Sequence, residues 1–276
     1  MSTTFSNQRG TKYNAETYSK VNDWQLQYGK NLAKAAGIKH GKEILDMGCG
    51  TGELTSFLAA SVGEEGLVVG VDPDVERIKT AIQNHSVKNL TFRHGDSSSQ
   101  FIGLDKQYDI HFSNFVIQWL DAEEKEMFVQ TAFKCLKPGG TIAIQSFEDE
   151  PEVFKAAKSL IRIDDNAAGS LLANTTSDKA EKVPFQHFVT KYVIEKLLQK
   201  SGFDIISSDY YHRTHIFSSA DEFLAFLFAS DYYDATKISS DKRKDFENKF
   251  VNVDGKVEVF SSSVYQIIAR KKADLI

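Results

Sequence analysis

Three glycines at alternate positions, Gly48, Gly50 and Gly52, constrain the fold of this chain more than any other feature. They follow the apolar run Ile44–Met47 and precede a stretch with helical periodicity, so they mark a turn between a strand and a helix. Glycine tolerates positive φ angles and leaves no side chain between the backbone and a ligand. The spacing therefore predicts the first strand–turn–helix unit of an open α/β sheet, with a ligand bound at the turn.

The charges around this turn indicate what the ligand carries. Free N–H groups at the start of the helix near Gly52 favour an anionic group, and Asp46 at the end of the strand favours a cationic one. A ligand with a carboxylate and an ammonium on one carbon satisfies both. Cys49, inside the turn, is interpreted as a small packing residue. An ordinary glycine-rich turn or a nicotinamide site stays open, although the dinucleotide motif G-x-G-x-x-G has a different spacing.

Acidic residues follow the second and third predicted strands, which are Leu67–Val71 and Leu90–His94. Asp72 lies 20 residues after the last glycine of the turn, about where an acid binds ribose hydroxyls in this kind of sheet. Asp96 can accept a hydrogen bond from an adenine amino group. The residues expected to bind a nucleoside are Asp72, Pro73, Asp96 and Ser97.

The rest of the chain continues the alternation of strands and helices up to residue 147. Tyr108–Ser113 and Thr141–Phe147 are the fourth and fifth predicted strands, and residues 136–140, LKPGG, are a predicted turn before the fifth. One or two amphipathic helices are expected within residues 13–36, with Asn22 as a candidate cap of the second. The predicted parts of one domain are a helical cap at 1–40, a core at 41–147, an insertion covering the site at 148–188 and the completion of the sheet at 189–276.

Composition narrows the class of partner. The chain has 276 residues and a net charge of −5, which disfavours nucleic acid and anionic membrane surfaces as partners. We expect no membrane span, because no apolar run approaches the required length. Its two cysteines, Cys49 and Cys135, are too few for a disulfide framework and favour a reduced, cytoplasmic setting. The oligomeric state stays open.

These motifs together resemble the class I S-adenosylmethionine (SAM)-dependent methyltransferases. The resemblance rests on Asp46, the three glycines, Asp72, Asp96 and the LKPGG run. It implies a doubly wound, seven-stranded Rossmann-like sheet whose last strand is antiparallel, an N-terminal helical cap and an insertion after strand five. It also implies SAM as cofactor, S-adenosylhomocysteine as product and no metal. The cofactor-binding residues it implies are Asp46, Gly48, Cys49, Gly50, Asp72, Pro73, Asp96, Ser97 and Asn114.

A narrower resemblance concerns the methyl acceptor. The run Tyr18-Ser19-Lys20, with Gln25 downstream of it, looks like the N-terminal segment of juvenile hormone acid O-methyltransferases. Residues 112–120 are similar to the segment after strand four of that family and of the trans-aconitate and malonyl-acyl-carrier-protein O-methyltransferases. The resemblance implies that Gln25 and Trp119 are catalytic and hold the substrate carboxylate, with Tyr18 and Gln118 also binding substrate. Gln118 is a departure, because the hormone enzymes usually carry a histidine there.

The residue types agree with a carboxylate acceptor. A carboxylate has a pKa near ~4, so it is ionised at neutral pH and needs no general base. It needs neutral donors that orient it, and Gln25, Gln118 and the Trp119 indole are of that type. His187 is the candidate base of a competing reaction, and Arg162 and Arg213 are candidates for holding a second carboxylate.

The sequence therefore predicts a SAM-dependent methyltransferase that acts on the carboxylate of a small, mainly apolar acid. Methylation of a nitrogen, a carbon or another oxygen of a small molecule is an alternative, because the cofactor half would look the same. A SAM-binding protein without catalysis is another. Methylation of nucleic acid is disfavoured, because strand four ends in the residues SNFV rather than in a D/N-P-P-Y/F motif.

Overall fold

The computed structural model describes residues 12–97, 107–160, 186–231 and 238–273. Helices occupy α1 (Lys12–Val21), α2 (Asp23–Ala35), α3 (Glu53–Val62), α4 (Val75–Asn84), α5 (Ala122–Cys135), α6 (Glu152–Ser159), α7 (Lys191–Lys200), α8 (Ala220–Asp231) and α9 (Ser240–Phe250). Strands occupy β1 (Glu43–Met47), β2 (Leu67–Asp72), β3 (Leu90–His94), β4 (Tyr108–Asn114), β5 (Leu136–Phe147), β6 (Phe203–Phe217) and β7 (Val257–Lys271). A short 3₁₀ turn covers Ile117–Trp119.

The strands form one seven-stranded sheet in the order β3-β2-β1-β4-β5-β7-β6. Strands β1 to β5 are parallel, and β7 lies antiparallel between β5 and β6. This confirms the predicted doubly wound Rossmann-like sheet with an antiparallel last strand. The central strands are apolar almost throughout because helices cover both of their faces.

The alternation of side chains along β1 divides the core into two layers. Leu45 packs with Phe128 of α5 and Ile194 of α7, whereas Ile44 packs with Leu32 of α2 and with α3 on the other face. Successive residues of a strand point to opposite faces, so neighbouring positions enter different layers. Both layers hold the carboxyl ends of the parallel strands rigidly at one edge of the sheet.

The LKPGG segment differs from its prediction. Helix α5 ends at Cys135, and β5 begins at Leu136, five residues before the predicted start of the strand. Leu136 pairs with Tyr108 and Thr141 pairs with Ile110, so the residues between them bulge out of the ladder, with Gly139 at φ 74°. The turn chemistry is therefore present, but pairing with β4 extends the strand through it.

The predicted insertion at 148–188 is described only in part. Helix α6 occupies its beginning, and residues 186–188 lie at its end. The part of it from 161 to 185, including Arg162, lies outside the described residues. Of the helices that the structure describes, none has the length and apolar character needed to cross a membrane.

Candidate active site

A cavity opens at the carboxyl ends of β1, β2, β4 and β5, between the glycine turn and the helices α1, α2 and α8. Most of the residues proposed from the sequence line it: Tyr18, Gln25, Asp46, Gly48, Cys49, Gly50, Asp72, Pro73, Asn114, Gln118 and Trp119. Asp96 and Ser97 follow β3 and are not among the lining residues. The structure thus brings residues from five separate segments to one cavity, and the acid after β3 is not one of them.

The carboxylate of Asp72 joins the glycine turn to the chain after β2. Its Oδ2 accepts from the N–H of Gly50 over 2.9 Å, and its Oδ1 accepts from the N–H of Asp74 over 2.9 Å. Each oxygen keeps a lone pair for a further donor. The side chain is only 6% exposed, so its remaining acceptors face the cavity wall rather than bulk water.

Asp46 is the most deeply buried acid of the site, with 1% exposure. Its Oδ2 accepts from the hydroxyl of Thr55 over 2.7 Å. Burial raises the pKa of Asp46 to about 7, and the nearby charge of Asp72 contributes in the same direction. Burial also raises the pKa of Asp72, although Arg77 opposes this. Two buried carboxylates without a full counter-charge form a site that a cationic ligand would stabilise.

The glycine turn is as tightly constrained as the sequence predicts. Gly48 and Gly50 have φ angles of 83° and 56°, which L side chains rarely adopt. A Cβ on Gly48 would lie 2.1 Å from Cγ2 of Val116, and one on Gly50 would lie 3.4 Å from the Tyr18 ring. The positive φ angles at both positions and the close approach of Val116 at Gly48 therefore require glycine in this turn.

A polar cluster that sequence reasoning missed fastens α1 and α2 to the glycine turn. The carboxylate of Glu53 accepts from Ser19 over 2.6 Å, from Asn22 over 2.9 Å and from Thr51 over 2.6 Å. Asn22 stands at the predicted N-cap position of α2, but its side chain makes no capping bond. The side chain donates to Glu53 instead. The predicted position of the cap is therefore correct, but the predicted capping bond is absent.

Gln25 is held from both sides. Its side-chain oxygen accepts from the hydroxyl of Tyr18, and its main-chain oxygen accepts from Nδ2 of Asn114 over 3.0 Å. Gln145 donates to Asn114 over 2.6 Å, so the amide of Asn114 is oriented from within the sheet. Because Tyr18 occupies the oxygen of Gln25, the amide N–H groups of Gln25 are left to donate elsewhere.

The segment after β4 carries the other proposed substrate residues. Phe115 has φ 59°, an uncommon value for a bulky residue, and turns the chain sharply into the 3₁₀ turn. Gln118 is buried, and its side-chain oxygen accepts from the hydroxyl of Ser146 over 2.5 Å. Trp119 is half-buried and lines the cavity. Strain of this kind is concentrated at ligand sites, where the surroundings maintain it.

Five aromatic side chains form one wall of the cavity, which we call the aromatic wall. Trp24 is its centre, and the other four rings lie between 5.3 and 6.3 Å from it, measured between centroids. Sequence reasoning did not single out Trp24, because a tryptophan in an amphipathic helix is ordinary core material. It is 3% exposed, and its indole N–H has no hydrogen-bond partner among the described residues. The wall consists of Trp24, Phe115, Phe147, Phe154 and Phe226.

The described lining residues include no histidine and no lysine. His187 is exposed and does not line the cavity, although its neighbours Gln186 and Phe188 do. The carboxylate of Glu150 is paired with the ammonium of Lys158. Arg77 contacts the Tyr18 ring at 4.3 Å and donates to the carbonyl of Ala229 over 3.1 Å.

Arg213, a further candidate from the sequence, lies away from the cavity. Arg213 stands on β6, where its guanidinium lies 5.5 Å from the centre of the Tyr28 ring, and it is not a lining residue. In the part of the chain that the structure describes, no group of three or more histidine, cysteine or acidic side chains is placed to hold a metal ion.

Comparison with known proteins identifies the family. A methyltransferase domain family matches residues 38–187. A protein of Invertebrate iridescent virus 6 described as a methyltransferase is 33% identical over 108 residues, 39% of this chain and 39% of that protein. Demethylmenaquinone methyltransferase of Lactobacillus johnsonii is 26% identical over 188 residues, 66% of this chain and 74% of the relative. Trans-aconitate 2-methyltransferase of Deinococcus radiodurans is 27% identical over 133 residues, 48% of each chain.

Solved structures of methyltransferases share the fold of this chain. The crystal structure of a Bacillus halodurans protein described as a methyltransferase superposes with a TM-score of 0.58 at 18% identity, over 89% of this chain and 99% of that one. At that identity the likeness speaks for the fold alone. The chain spans only about two fifths of the viral relative and half of the trans-aconitate enzyme. Because the methyltransferase domain covers more than half of its residues, the chain belongs to the class I SAM-dependent methyltransferases.

Proposed function

We propose that this protein transfers the methyl group of SAM to the carboxylate of a small, mainly apolar organic acid. One observation carries the choice of acceptor. The substrate side of the cavity combines neutral hydrogen-bond donors with the aromatic wall, and its described lining residues offer no histidine or lysine as a base. Such a surface orients a group that is already ionised and holds an apolar body beside it.

The residues of the glycine turn fit SAM. Gly48 and Gly50 line the cavity with backbone alone, and a Cβ on Gly48 would clash with Cγ2 of Val116 at 2.1 Å. Asp46 would hold the ammonium of the methionine end, and Asp72 would hold the ribose hydroxyls. The raised pKa of each buried acid fits a cationic cofactor, because a positive ligand replaces the solvation that burial removed. Cys49, Pro73 and Asn114 complete this part of the cavity, and Asp96 and Ser97 remain proposed adenine-side residues.

Bound SAM supplies an electrophilic methyl group on a sulfonium. The chain itself aligns the acceptor with that methyl group and excludes water. The amide N–H of Gln25 and the indole N–H of Trp119 would each donate to a carboxylate oxygen, while Gln118 supports the segment that carries Trp119. Neutral donors orient the carboxylate without neutralising it, so its lone pair stays available for the displacement. The aromatic wall keeps the acceptor in an apolar surrounding.

The relatives support methyl transfer more strongly than they support the acceptor. They are named for acceptors as different as demethylmenaquinone and trans-aconitate, and the second of these is a carboxylic acid. A dicarboxylic acid would need a guanidinium beside the aromatic wall to hold its second carboxylate. Among the described lining residues the guanidinium is that of Arg77, which contacts the Tyr18 ring and donates to the carbonyl of Ala229. This favours a monocarboxylic acid over a dicarboxylic one.

The test is methyl transfer from labelled SAM to a panel of fatty, terpenoid and dicarboxylic acids, each matched with its primary amide. We expect label to enter an apolar monocarboxylic acid but not its amide, and to be released as methanol by mild alkali, as a methyl ester requires. The rate at saturating SAM should stay nearly flat between about pH 6.5 and pH 9, because neither the acid nor its donors titrate there.

Other outcomes identify other reactions. Label that is stable to alkali and lies on an amine or a carbon would show that the acceptor is not a carboxylate. A rate that rises steeply with pH and loses this rise in His187→Ala would indicate general-base catalysis. Binding of S-adenosylhomocysteine without turnover on any acceptor would favour a non-catalytic SAM-binding protein.

A further inference from the structure

Lys125 is a buried lysine in the first turn of α5 that the proposed reaction does not use. Its side chain is 2% exposed. Its ammonium donates to the carbonyl of Leu120 and, over 2.8 Å, to the carbonyl of His187. Among the described residues no carboxylate lies within ion-pair distance of it, so backbone carbonyls are its partners. The two carbonyls belong to segments of the chain that are far apart in sequence.

A third hydrogen bond joins the same two segments. The N–H of His187 donates to the carbonyl of Gln118 over 2.6 Å. Residues 118–120 and 186–188 are therefore held together in two ways, by this direct hydrogen bond and by the ammonium of Lys125, which donates to a carbonyl of each segment. Both segments line the cavity, the first through Gln118, Trp119 and Leu120 and the second through Gln186 and Phe188.

Placing an ammonium in this position is costly. Removal from water disfavours its charge, and the N-terminal end of a helix repels a cation. Burial accordingly lowers the pKa of Lys125 to about 8, with Asp121 and Glu124 opposing the shift. A methionine would fill the space without this cost, although it would leave the two carbonyls without their donor.

We propose that Lys125 is a positioning residue that places the indole of Trp119 in the acceptor cavity by fastening residues 118–120 to residues 186–188. It touches neither substrate nor cofactor and acts through the two segments. The consequence for acceptor binding rests on the proposed function, whereas the consequence for the position of Trp119 does not.

Lys271 provides a matched control. It is also buried, at 8% exposure, and its ammonium also donates to two carbonyls, those of Phe133 over 2.7 Å and Leu136 over 2.8 Å. It lies at the amino ends of the parallel strands, the opposite edge of the sheet from the cavity. Lys271→Met therefore removes the same kind of interaction without touching the cavity.

The first measurement needs no substrate. The chain has two tryptophans, so Trp24→Phe leaves Trp119 as the sole indole fluorophore. In this background we expect Lys125→Met to shift Trp119 emission to the red and to speed hydrogen exchange of residues 186–190. Lys271→Met should lower the melting temperature but leave both signals at parent values, and Lys125→Arg, which keeps the donors, should restore them in part.

The second measurement uses the acid identified in the labelled-SAM panel. Lys125→Met should raise its KM about tenfold or more, as displacement of a positioning group does, with unchanged affinity for S-adenosylhomocysteine. Parent-like Trp119 emission and exchange in folded Lys125→Met would overturn the proposal. If Lys125→Met does not fold, Lys125→Gln takes its place, because the shorter side chain cannot donate to both carbonyls, and parent-like Trp119 emission and exchange in that variant would equally overturn the proposal.

Discussion

The amide N–H of Gly50 donates to Oδ2 of Asp72 over 2.9 Å, and this bond ties the glycine turn to the acid that follows β2. The two places where the sequence predicts cofactor contacts are therefore one structural unit. Any ligand that binds Asp72 also stabilises the position of the turn, because the same carboxylate carries both interactions.

Asp72→Ala should weaken S-adenosylhomocysteine binding by about 2–4 kcal/mol, since a charge-assisted contact and the support of the turn are lost together. Isothermal titration calorimetry measures this directly. Asp109→Ala is the control, because Asp109 accepts from Lys42 over 3.1 Å and from Lys137 over 3.0 Å at the other edge of the sheet. It should cost stability and leave the affinity unchanged. Equal affinities of Asp72→Ala and parent would remove Asp72 from the site.

Cofactor affinity should depend on pH through Asp46. Its pKa of about 7 means that the free protein carries a proton there below neutrality. In the proposed cofactor site the ammonium of the ligand requires the carboxylate form of Asp46, so the proton would leave on binding. We expect S-adenosylhomocysteine affinity to fall as pH decreases from about 8 to 6, approaching tenfold per unit below the pKa. Asp46→Asn should bind weakly and without this dependence. A parent affinity that is equal at both pH values would contradict the prediction.

The hydroxyl of Tyr18 should act through Gln25. Tyr18→Phe removes the hydrogen bond to the oxygen of Gln25, so the amide is no longer oriented. Gln25→Ala and Trp119→Phe should each slow single-turnover methylation by about 1–3 kcal/mol of activation free energy, with nearly intact cofactor affinity. Tyr18→Phe should slow it less, and adding it to Gln25→Ala should cost little more. Additive effects in this double-mutant cycle would show that Tyr18 and Gln25 act independently, which would contradict the prediction.

His111 should limit stability in acid. It lies fully buried on β4 against Phe128, and in the described part of the chain neither ring nitrogen has a hydrogen-bond partner. Burial lowers its pKa to about 3. The unfolded chain binds a proton near pH ~6.5, whereas the folded chain does not, so stability is complete above that pH and falls as pH decreases from about 6.5 towards 3. His111→Leu should flatten this limb of the melting-temperature profile. An unaltered limb in His111→Leu would refute the assignment.

The sequence by itself determined the order of the elements, the glycine turn and the acid after β2. These features depend on neighbouring residues: Gly48 and Gly50 occupy positive φ angles that follow from the turn itself, and the run Ile44–Met47 is apolar because its strand is buried on both faces. Helix and strand periods and turn chemistry are local, so they can be predicted without knowing what packs against them.

The tertiary structure decided which distant side chains meet. Asn22 is of a residue type that often caps helices, yet its side chain donates to Glu53, 31 residues away. Trp24 becomes the centre of the aromatic wall, and Lys125 donates to the carbonyl of His187, 62 residues away. Nothing in a local pattern specifies these partners, because hydrogen bonding and ring packing depend on distance in space. The local sequence thus predicts where a cofactor binds, whereas the acceptor side is assembled from segments that only the fold brings together.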